Sequence, residues 1–446
     1  MTASDESDPV THTNSGPVFL WIRRLVNIEP RELRAVAWAL LYFFSLLCSY
    51  YIVRSLREEM AVQGGVDNLQ WMFLGTFLAT LAIVPLFGWV SSRFARRQFI
   101  PAAYFFVAAA TLLFFVLLKI GISRVQVAIA FFIFTSVYSV FIVSVFWSFM
   151  ADIFSSGQAK RLFGFIAAGG TAGALLGPLI AATLARPLGA INLLPISAGF
   201  LVLAIFAVHQ LDQRSRRDRV RLSDIAAPPT PDHEKPMGGS ILSGIWLVFT
   251  SPYLLGICLF MLLFTTLATF LYYHQTQIMG DTFTDPNVRT SVFAWMDFSV
   301  NALTLIAQLF LTGRIVNRLG VAWTLTLVPV FLVVGFFALG VSPVLSVFVV
   351  VQVLRRAGNF AISRPAREML YTVLDKEKKY KAKNFIDTAI YRGGDALSAA
   401  VIQALRVAGL GLSALAYIAL PIAALWTWVA FRLGREQARL AEETGR

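Results

Sequence analysis

Seven of the 38 Lys and Arg residues lie within or at the ends of long apolar runs: Arg54, Arg57, Arg355, Arg356, Arg364, Arg367 and Arg392. Carboxylates accompany them: Glu58 beside Arg57, Asp297 in an otherwise apolar run, Glu368 beside Arg367, and Asp387 and Asp395 flanking Arg392. A charge at the centre of a spanning helix costs about 2.5–3.5 kcal/mol on insertion scales, so such residues normally face a cavity or one another. Planar guanidinium groups grip phosphate and carboxylate bidentately. The chemistry on offer is recognition of an organic anion, or Arg–carboxylate gates that work without touching a substrate. A third use is proton carriage by Asp297, Asp387 or Asp395, with the arginines tuning their acidity.

Helical periodicity sorts these residues further. Arg356 shares a stripe with Ser363 and Arg367, at i+7 and i+11. Arg355 points about 100° away and reads as facing a neighbouring helix. Asp297, Asn301, Thr304 and Gln308 fall at i, i+4, i+7 and i+11, on one narrow face. Asn301 and Gln308 alone would read as interhelical glue; Asp297 tips that face toward a cavity. Asp387, Tyr391 and Asp395 align at i, i+4 and i+8, with Arg392 three residues before Asp395 and Gly393-Gly394 between them. That pair is either a structural brace on a kink or part of a site. Arg54 and Arg57 end the first run on the outer side, and Arg364 and Arg367 end the tenth on the cytoplasmic side. The expectation is two positive clusters at opposite mouths of one cavity. Candidate substrate ligands are Arg54, Arg57, Asn301, Arg355, Arg356, Arg367 and Arg392; candidate gating or proton-coupling groups are Glu58, Asp297, Glu368, Asp387 and Asp395.

The elements that must hold these residues are membrane helices. The chain is 57% hydrophobic and 14% charged over 446 residues, where a soluble domain has about 45–50% and about 25%. Twelve runs reach the roughly 20 apolar residues a spanning helix needs: 35–54, 69–90, 98–118, 126–150, 162–185, 190–210, 246–273, 289–312, 321–340, 344–364, 385–405 and 410–431. With the amino terminus inside, cytoplasmic segments hold 26 Lys and Arg and the opposite loops only 5. Both termini are therefore expected in the cytoplasm. The net charge of +13 reads as topology, not as a nucleic-acid surface. Residues 1–30 are polar and lack an apolar segment followed by a cleavage site, so no cleaved signal is expected.

Residues 211–240 carry an Arg cluster followed by Pro and Gly, and read as a cytoplasmic linker joining two six-helix halves. The expected organisation is a cytoplasmic segment 1–34, a bundle 35–210, the linker 211–240, a bundle 241–431 and a tail 432–446. A repeat supports the two halves. Gly88-Trp-Val-Ser-Ser-Arg93 follows the second run and Gly313-Arg-Ile-Val-Asn-Arg318 the eighth, each read as a Gly that closes a helix with an Arg five residues later. These segments resemble the GxxxDRxGRR signature of the major facilitator superfamily, with Ser92 and Asn317 where Asp is usual and Ala95 for the second Gly. Gly173-Ala-Leu-Leu-Gly177-Pro178 resembles its antiporter motif GxxxGP, although small residues at this spacing also serve close packing.

Three further segments are similar to the bacterial and plastidic ATP/ADP translocase family: Arg54-Ser-Leu-Arg57-Glu58, Arg364-Pro-Ala-Arg367-Glu368, and Tyr380-Lys-Ala-Lys383-Asn-Phe-Ile-Asp387 leading into Arg392-Gly-Gly-Asp395. That family typically has Arg-Asp-x-Lys-Asp at the end of its first span; here Ser55 replaces the first Asp, Arg57 the Lys and Glu58 the last Asp. The resemblance implies nucleotide exchange in a bacterial inner membrane, with helices 1, 4, 7 and 10 lining a central cavity and 3, 6, 9 and 12 facing lipid. No GxxxxGK[ST] loop, metal spacing among the 4 His and 2 Cys, or GxSxG motif occurs. The sequence therefore reads as an all-α membrane protein of major facilitator architecture, a monomer surrounded by lipid, with no cofactor, no nucleic-acid partner and no enzymatic role. Its expected work is alternating-access exchange of a small anionic molecule, a nucleotide or other phosphorylated metabolite. The alternative is proton-coupled transport of a neutral or weakly charged solute.

Overall fold

Lipid offers no hydrogen bonds, so a chain this apolar must satisfy its backbone within helices. The computed structural model describes residue 29 and residues 32–94, 96–223 and 248–444, and among them there is no strand. The helices are α1 (Leu33–Gly64), α2 (Leu69–Arg93), α3 (Arg96–Ile120), α4 (Arg124–Ile153), α5 (Ser156–Leu188), α6 (Leu193–Ser223), α7 (Pro252–Thr282), α8 (Pro286–Phe310) and α9 (Thr312–Val341). Two more are interrupted: α10 spans Leu345–Leu370 with a π turn at Asn359–Ser363, and α11 runs through Lys376–Phe385, a π turn at Ile386–Ile390, and Tyr391–Val407. α12 is Leu412–Thr444. Among the described residues, eleven helices are long and apolar enough to cross a membrane. α11 falls outside that set because Asp387, Arg392 and Asp395 interrupt its apolar stretch.

Several boundaries differ from the sequence reading. α1 continues ten residues past Arg54 to Gly64. Its 32 residues make a rod of about 48 Å at 1.5 Å per residue, against a hydrocarbon thickness of about 30 Å. Arg54 and Arg57 therefore do not end the helix; they lie well inside it. Gly88 and Gly313 close no helix either, since α2 runs through to Arg93 and Gly313 lies in the first turn of α9. The break comes at Gly320, whose φ of +72° is left-handed backbone that glycine adopts without a Cβ penalty. α6 extends to Ser223 and α12 to Thr444, past the ends expected for their runs. Most of the expected segment 1–34, residues 224–240 of the linker, the start of the run 246–273 and the last two residues of the tail lie outside the described residues.

The helix contacts repeat with a shift of six. α1 packs on α4, α5 and α6, and α7 on α10, α11 and α12; α3 packs on α6, and α9 on α12. The halves meet along α2–α11 and α5–α8. Advancing each helix by six exchanges those two contacts, as a pseudo-two-fold axis requires. One apolar core joins α1 and α3–α6 around Tyr42, Phe146 and Leu201, and a second joins α7–α12 around Phe260, Phe336 and Trp426.

Small residues allow the closest approach. A Cβ at Gly169 or Gly177 would lie 2.6 Å from the carbonyl oxygen of Leu40 or Cys48 on α1, and at Gly173 it would overlap that of Phe44. The four-residue spacing on α5 thus matches the four-residue spacing on α1, the close-packing use of such a motif. On the face where α1 begins and α12 ends, Trp89, Trp323 and Trp428 are exposed, and Arg93 and Arg432 lie 4.9 Å from the Trp89 and Trp428 rings respectively. Amphipathic rings with basic partners at one level are the anchors expected at a bilayer interface.

Candidate functional site

Arg54, Arg57 and Glu58 of α1, Arg355 and Arg356 of α10, and Arg392 and Asp395 of α11 converge on one cavity of about 240 Å³ between the halves, lined by α1, α2, α4, α7, α10 and α11. Helices α3, α6, α9 and α12 contribute nothing to it. Five arginines line it, Arg54, Arg57, Arg355, Arg356 and Arg392, against two carboxylates, Glu58 and Asp395. The third carboxylate, Asp297, lies behind the wall and is 1% exposed. The two positive clusters expected at opposite mouths are therefore not what forms. Because α1 runs on to Gly64, Arg54 and Arg57 sit at the level of the α10 pair and share its cavity.

Asp297 on α8 bridges the halves. Arg356 donates to its Oδ1 at 2.5 Å, and Arg54 Nε stands 3.3 Å from its Oδ2 in ion-pair but not hydrogen-bond geometry. Arg57 donates to Glu58 at 2.5 Å and to Ser136 at 3.3 Å, and lies over the Phe132 ring. Arg392 stands 3.7 Å from Asp395 and 5.5 Å from the Tyr391 ring. The Nε donors of Arg54 and Arg57 are buried without an acceptor. Buried donors that lack a partner are costly, and an anion placed among them would satisfy them.

Arg355 and Arg356 both line the cavity, although one helical step separates their Cβ directions. Their long side chains reach it from two sides: Arg356 turns to α8, while Arg355 donates through Nε to Gln352 at 3.1 Å. The π turn that begins at Asn359 follows directly, and a second precedes Tyr391 and Arg392. Such turns recur at functional sites because they re-aim side chains within a helix.

Four candidates lie elsewhere. Asn301 is occupied in joining helices, accepting from Tyr51 at 3.2 Å and donating to the Ala174 carbonyl at 2.7 Å. Arg367 donates to Met261 Sδ at 3.0 Å and stands 3.9 Å from Asp387, while Lys383 donates to Glu368 at 2.5 Å. These last four residues form a separate group on α10 and α11, towards the face where α1 begins and α12 ends.

Sequence reasoning passed over Gln275 and Gln352, two amides in apolar helices, and the aromatic wall of Phe73, Phe132 and Tyr272. The isolated glutamines were the available signal. It also left Arg289 in a loop. Arg289 makes a bidentate pair with Glu59, both bonds 2.7 Å, and donates to the Phe283 carbonyl at 2.7 Å. With Asn287 accepting from Ala190 N at 2.7 Å and Arg406 pairing with Asp67 at 3.0 Å, these contacts join the halves on the face where α1 ends and α8 begins.

The comparisons with known proteins agree with this arrangement. ADP,ATP carrier protein 1 of Chlamydia muridarum (strain MoPn / Nigg) is 22% identical over 89% of this chain and 85% of its own length. The protein of the same name from Chlamydia trachomatis serovar D is 22% identical over 87% and 84%. Among solved structures, the nucleoside transporter NupG superposes with a TM-score of 0.64 at 12% identity, covering 91% of this chain and 98% of that one. An auto-inhibited POT family peptide transporter gives 0.61 at 16% identity, covering 91% of this chain and 97% of that one. At such identities these structures speak for the fold alone. The family model of the Major Facilitator Superfamily matches residues 38–354, most of the chain. With its helical halves related by a six-helix shift around one central cavity, this multi-pass membrane protein belongs to the Major Facilitator Superfamily.

Proposed function

We propose that this transporter exchanges an organic anion, a nucleotide or another phosphorylated metabolite, by alternating access. The observation that carries the reading is the excess of arginine in the central cavity: five guanidinium groups against Glu58, Asp395 and the bridging Asp297. Burying that excess is costly unless an anion offsets it. The distant likeness to the chlamydial ADP,ATP carriers supports a nucleotide in particular.

Arg54, Arg57, Arg355, Arg356 and Arg392 are the proposed substrate contacts. The cavity of about 240 Å³ is smaller than the roughly 300–1,000 Å³ of sites for drug-sized ligands. In this form it would hold a phosphoryl or carboxylate group, and a whole nucleotide needs the halves to part. Parting would break the Glu59–Arg289, Asn287–Ala190 and Asp67–Arg406 contacts on one face and form others opposite. Charge asymmetry supports cytoplasmic termini in a bacterial inner membrane, so the joined face would be the outer one.

The test uses purified protein in liposomes preloaded with unlabelled ADP, following uptake of labelled ATP. Uptake that requires internal ADP is the expected result; none from folded protein would remove adenine nucleotide exchange. Arg57→Gln and Arg356→Gln, made separately, should weaken apparent affinity. Unchanged affinity with altered turnover would make these arginines gates. A second reading is favoured by Asp395, which is 8% exposed and only loosely paired with Arg392 at 3.7 Å. That carboxylate could carry a proton, and accumulation driven by a pH gradient without counter-substrate would support proton coupling instead.

A further inference from the structure

Among the described residues Arg355 differs from its neighbours in having no carboxylate paired with it. Arg54 and Arg356 share Asp297, Arg57 has Glu58, and Arg392 has Asp395. The Arg355 side chain donates through Nε to Gln352 Oε1 at 3.1 Å. Gln352 Nε2 in turn donates to Gln275 Oε1 at 2.9 Å, and Gln275 Nε2 donates to Glu58 Oε2 at 2.9 Å. Gln352 and Gln275 are each 3% exposed and Glu58 is 5% exposed. A buried chain of hydrogen bonds thus runs from α10 through α7 to α1, with every donor pointing toward the Glu58 carboxylate.

The direction of that chain has a consequence. Each amide dipole places its oxygen toward Arg355 and its NH₂ toward Glu58, so the guanidinium is held in place through a carboxylate that does not pair with it directly. Its Nε is occupied, which leaves the Nη edge for the cavity that Arg355 lines. The charges can be paired off. Arg57 with Glu58 and Arg392 with Asp395 cancel, the Arg54–Asp297–Arg356 group keeps one positive charge, and Arg355 keeps another.

We propose that Gln275 and Gln352 are positioning residues that present Arg355 as the principal anion ligand, and that the site takes a doubly charged phosphoryl group between Arg355 and the Arg54–Arg356 pair. The inference rests on the anion-transport reading and deepens it by naming the charge of the recognised group. A terminal phosphoryl group carries about 1.5–2 negative charges near neutral pH, which matches the two uncompensated guanidinium groups. The amides are needed because a carboxylate at either position would cancel a charge intended for the substrate.

Gln352→Glu tests this with almost no change in shape. It sets a carboxylate against Arg355 and should weaken ADP binding about tenfold or more through the added like charge. Gln352→Leu and Gln275→Met, which cut the chain without adding charge, should weaken binding less. Binding is read as ligand-induced thermal stabilisation of the purified full chain with ADP, AMP and adenosine, and as KM against kcat for exchange in liposomes. The expected result is stabilisation by ADP and AMP but not adenosine in the original protein, with KM raised and kcat largely kept in the variants. If Gln352→Glu does not fold, Gln275→Met carries the test two links from Arg355. A folded Gln352→Glu or Gln275→Met variant that binds ADP like the original overturns the relay while the transport reading stands. An original protein that none of the phosphorylated probes stabilises or enters removes both.

Discussion

Removal of the Asp297 carboxylate is the sharpest test of how the cavity is held. Asp297 is 1% exposed and serves two guanidinium groups from opposite halves, Arg356 at 2.5 Å and Arg54 at 3.3 Å. Charges about 4 Å apart attract by about 4 kcal/mol at an effective dielectric constant near 20. Two such attractions outweigh the cost of burying one carboxylate, and losing them leaves two buried cations repelling each other. Truncating one partner of a buried pair costs about 3–5 kcal/mol, and Asp297→Asn should fall in that range. The assay is equilibrium unfolding in mixed micelles, followed by the fluorescence of the 10 tryptophans. Arg356→Gln should cost less, because Arg54 keeps its carboxylate. The double variant Asp297→Asn/Arg356→Gln should be more stable than Asp297→Asn alone, since it removes one orphaned cation. Two results would refute the reasoning: a change of less than about 0.5 kcal/mol in Asp297→Asn, or strict additivity of the two substitutions.

Gly173→Ala should lose about 1–3 kcal/mol in the same assay, because the new Cβ meets the Phe44 backbone across a rigid seam. Gly88→Ala, where a Cβ meets nothing within 4 Å, should be neutral or slightly stabilising. Glu59→Gln should loosen the joined face, read as faster labelling of an Ala294→Cys site by a membrane-impermeant maleimide. Ala294 is fully buried between α1, α5, α6 and α8, and the native Cys48 and Cys258 are buried and give little background. Glu32, just ahead of α1, offers a pH test. Burial would raise its carboxyl, but hydrogen bonds from Gln158 and the Glu29 N–H and the charge of Arg161 together hold it below the usual range. A depressed folded value means its contribution is full above the ordinary carboxylate pKa of about 4.3 and is lost as pH falls through the lower folded value. The stability gap between the original protein and Glu32→Gln should therefore narrow only in acid.

The helices were legible because apolar length is a local property of the chain. Even α11, the most polar, was read from its apolar flanks around Asp387, Arg392 and Asp395. Helix ends were less legible. Past Arg54 the composition of Ser55–Glu59 looks like a loop, yet α1 continues, because Glu58 and Glu59 find buried partners on α7 and α8 that hydropathy does not register. The Gly spacing of α5 was readable as close packing, though not the helix it packs on. The Asp297 stripe was read as one face; the structure divides its duties, with Asp297 paired to arginines and Asn301 bonded to Tyr51 and Ala174.

By itself the sequence determined what burial and solvation dictate residue by residue: a membrane chain, its helices, their repeat by halves, and a set of charges too costly to face lipid. Only the tertiary structure decided which charges meet. Arg57 and Arg355 stand almost 300 positions apart in the chain, yet Glu58, Gln275 and Gln352 join them through four hydrogen bonds. A helical period places a side chain on a face of its own helix. It says nothing of how far the helix runs, which neighbour that face meets, or at what depth, and those are set by the packing of all the helices together.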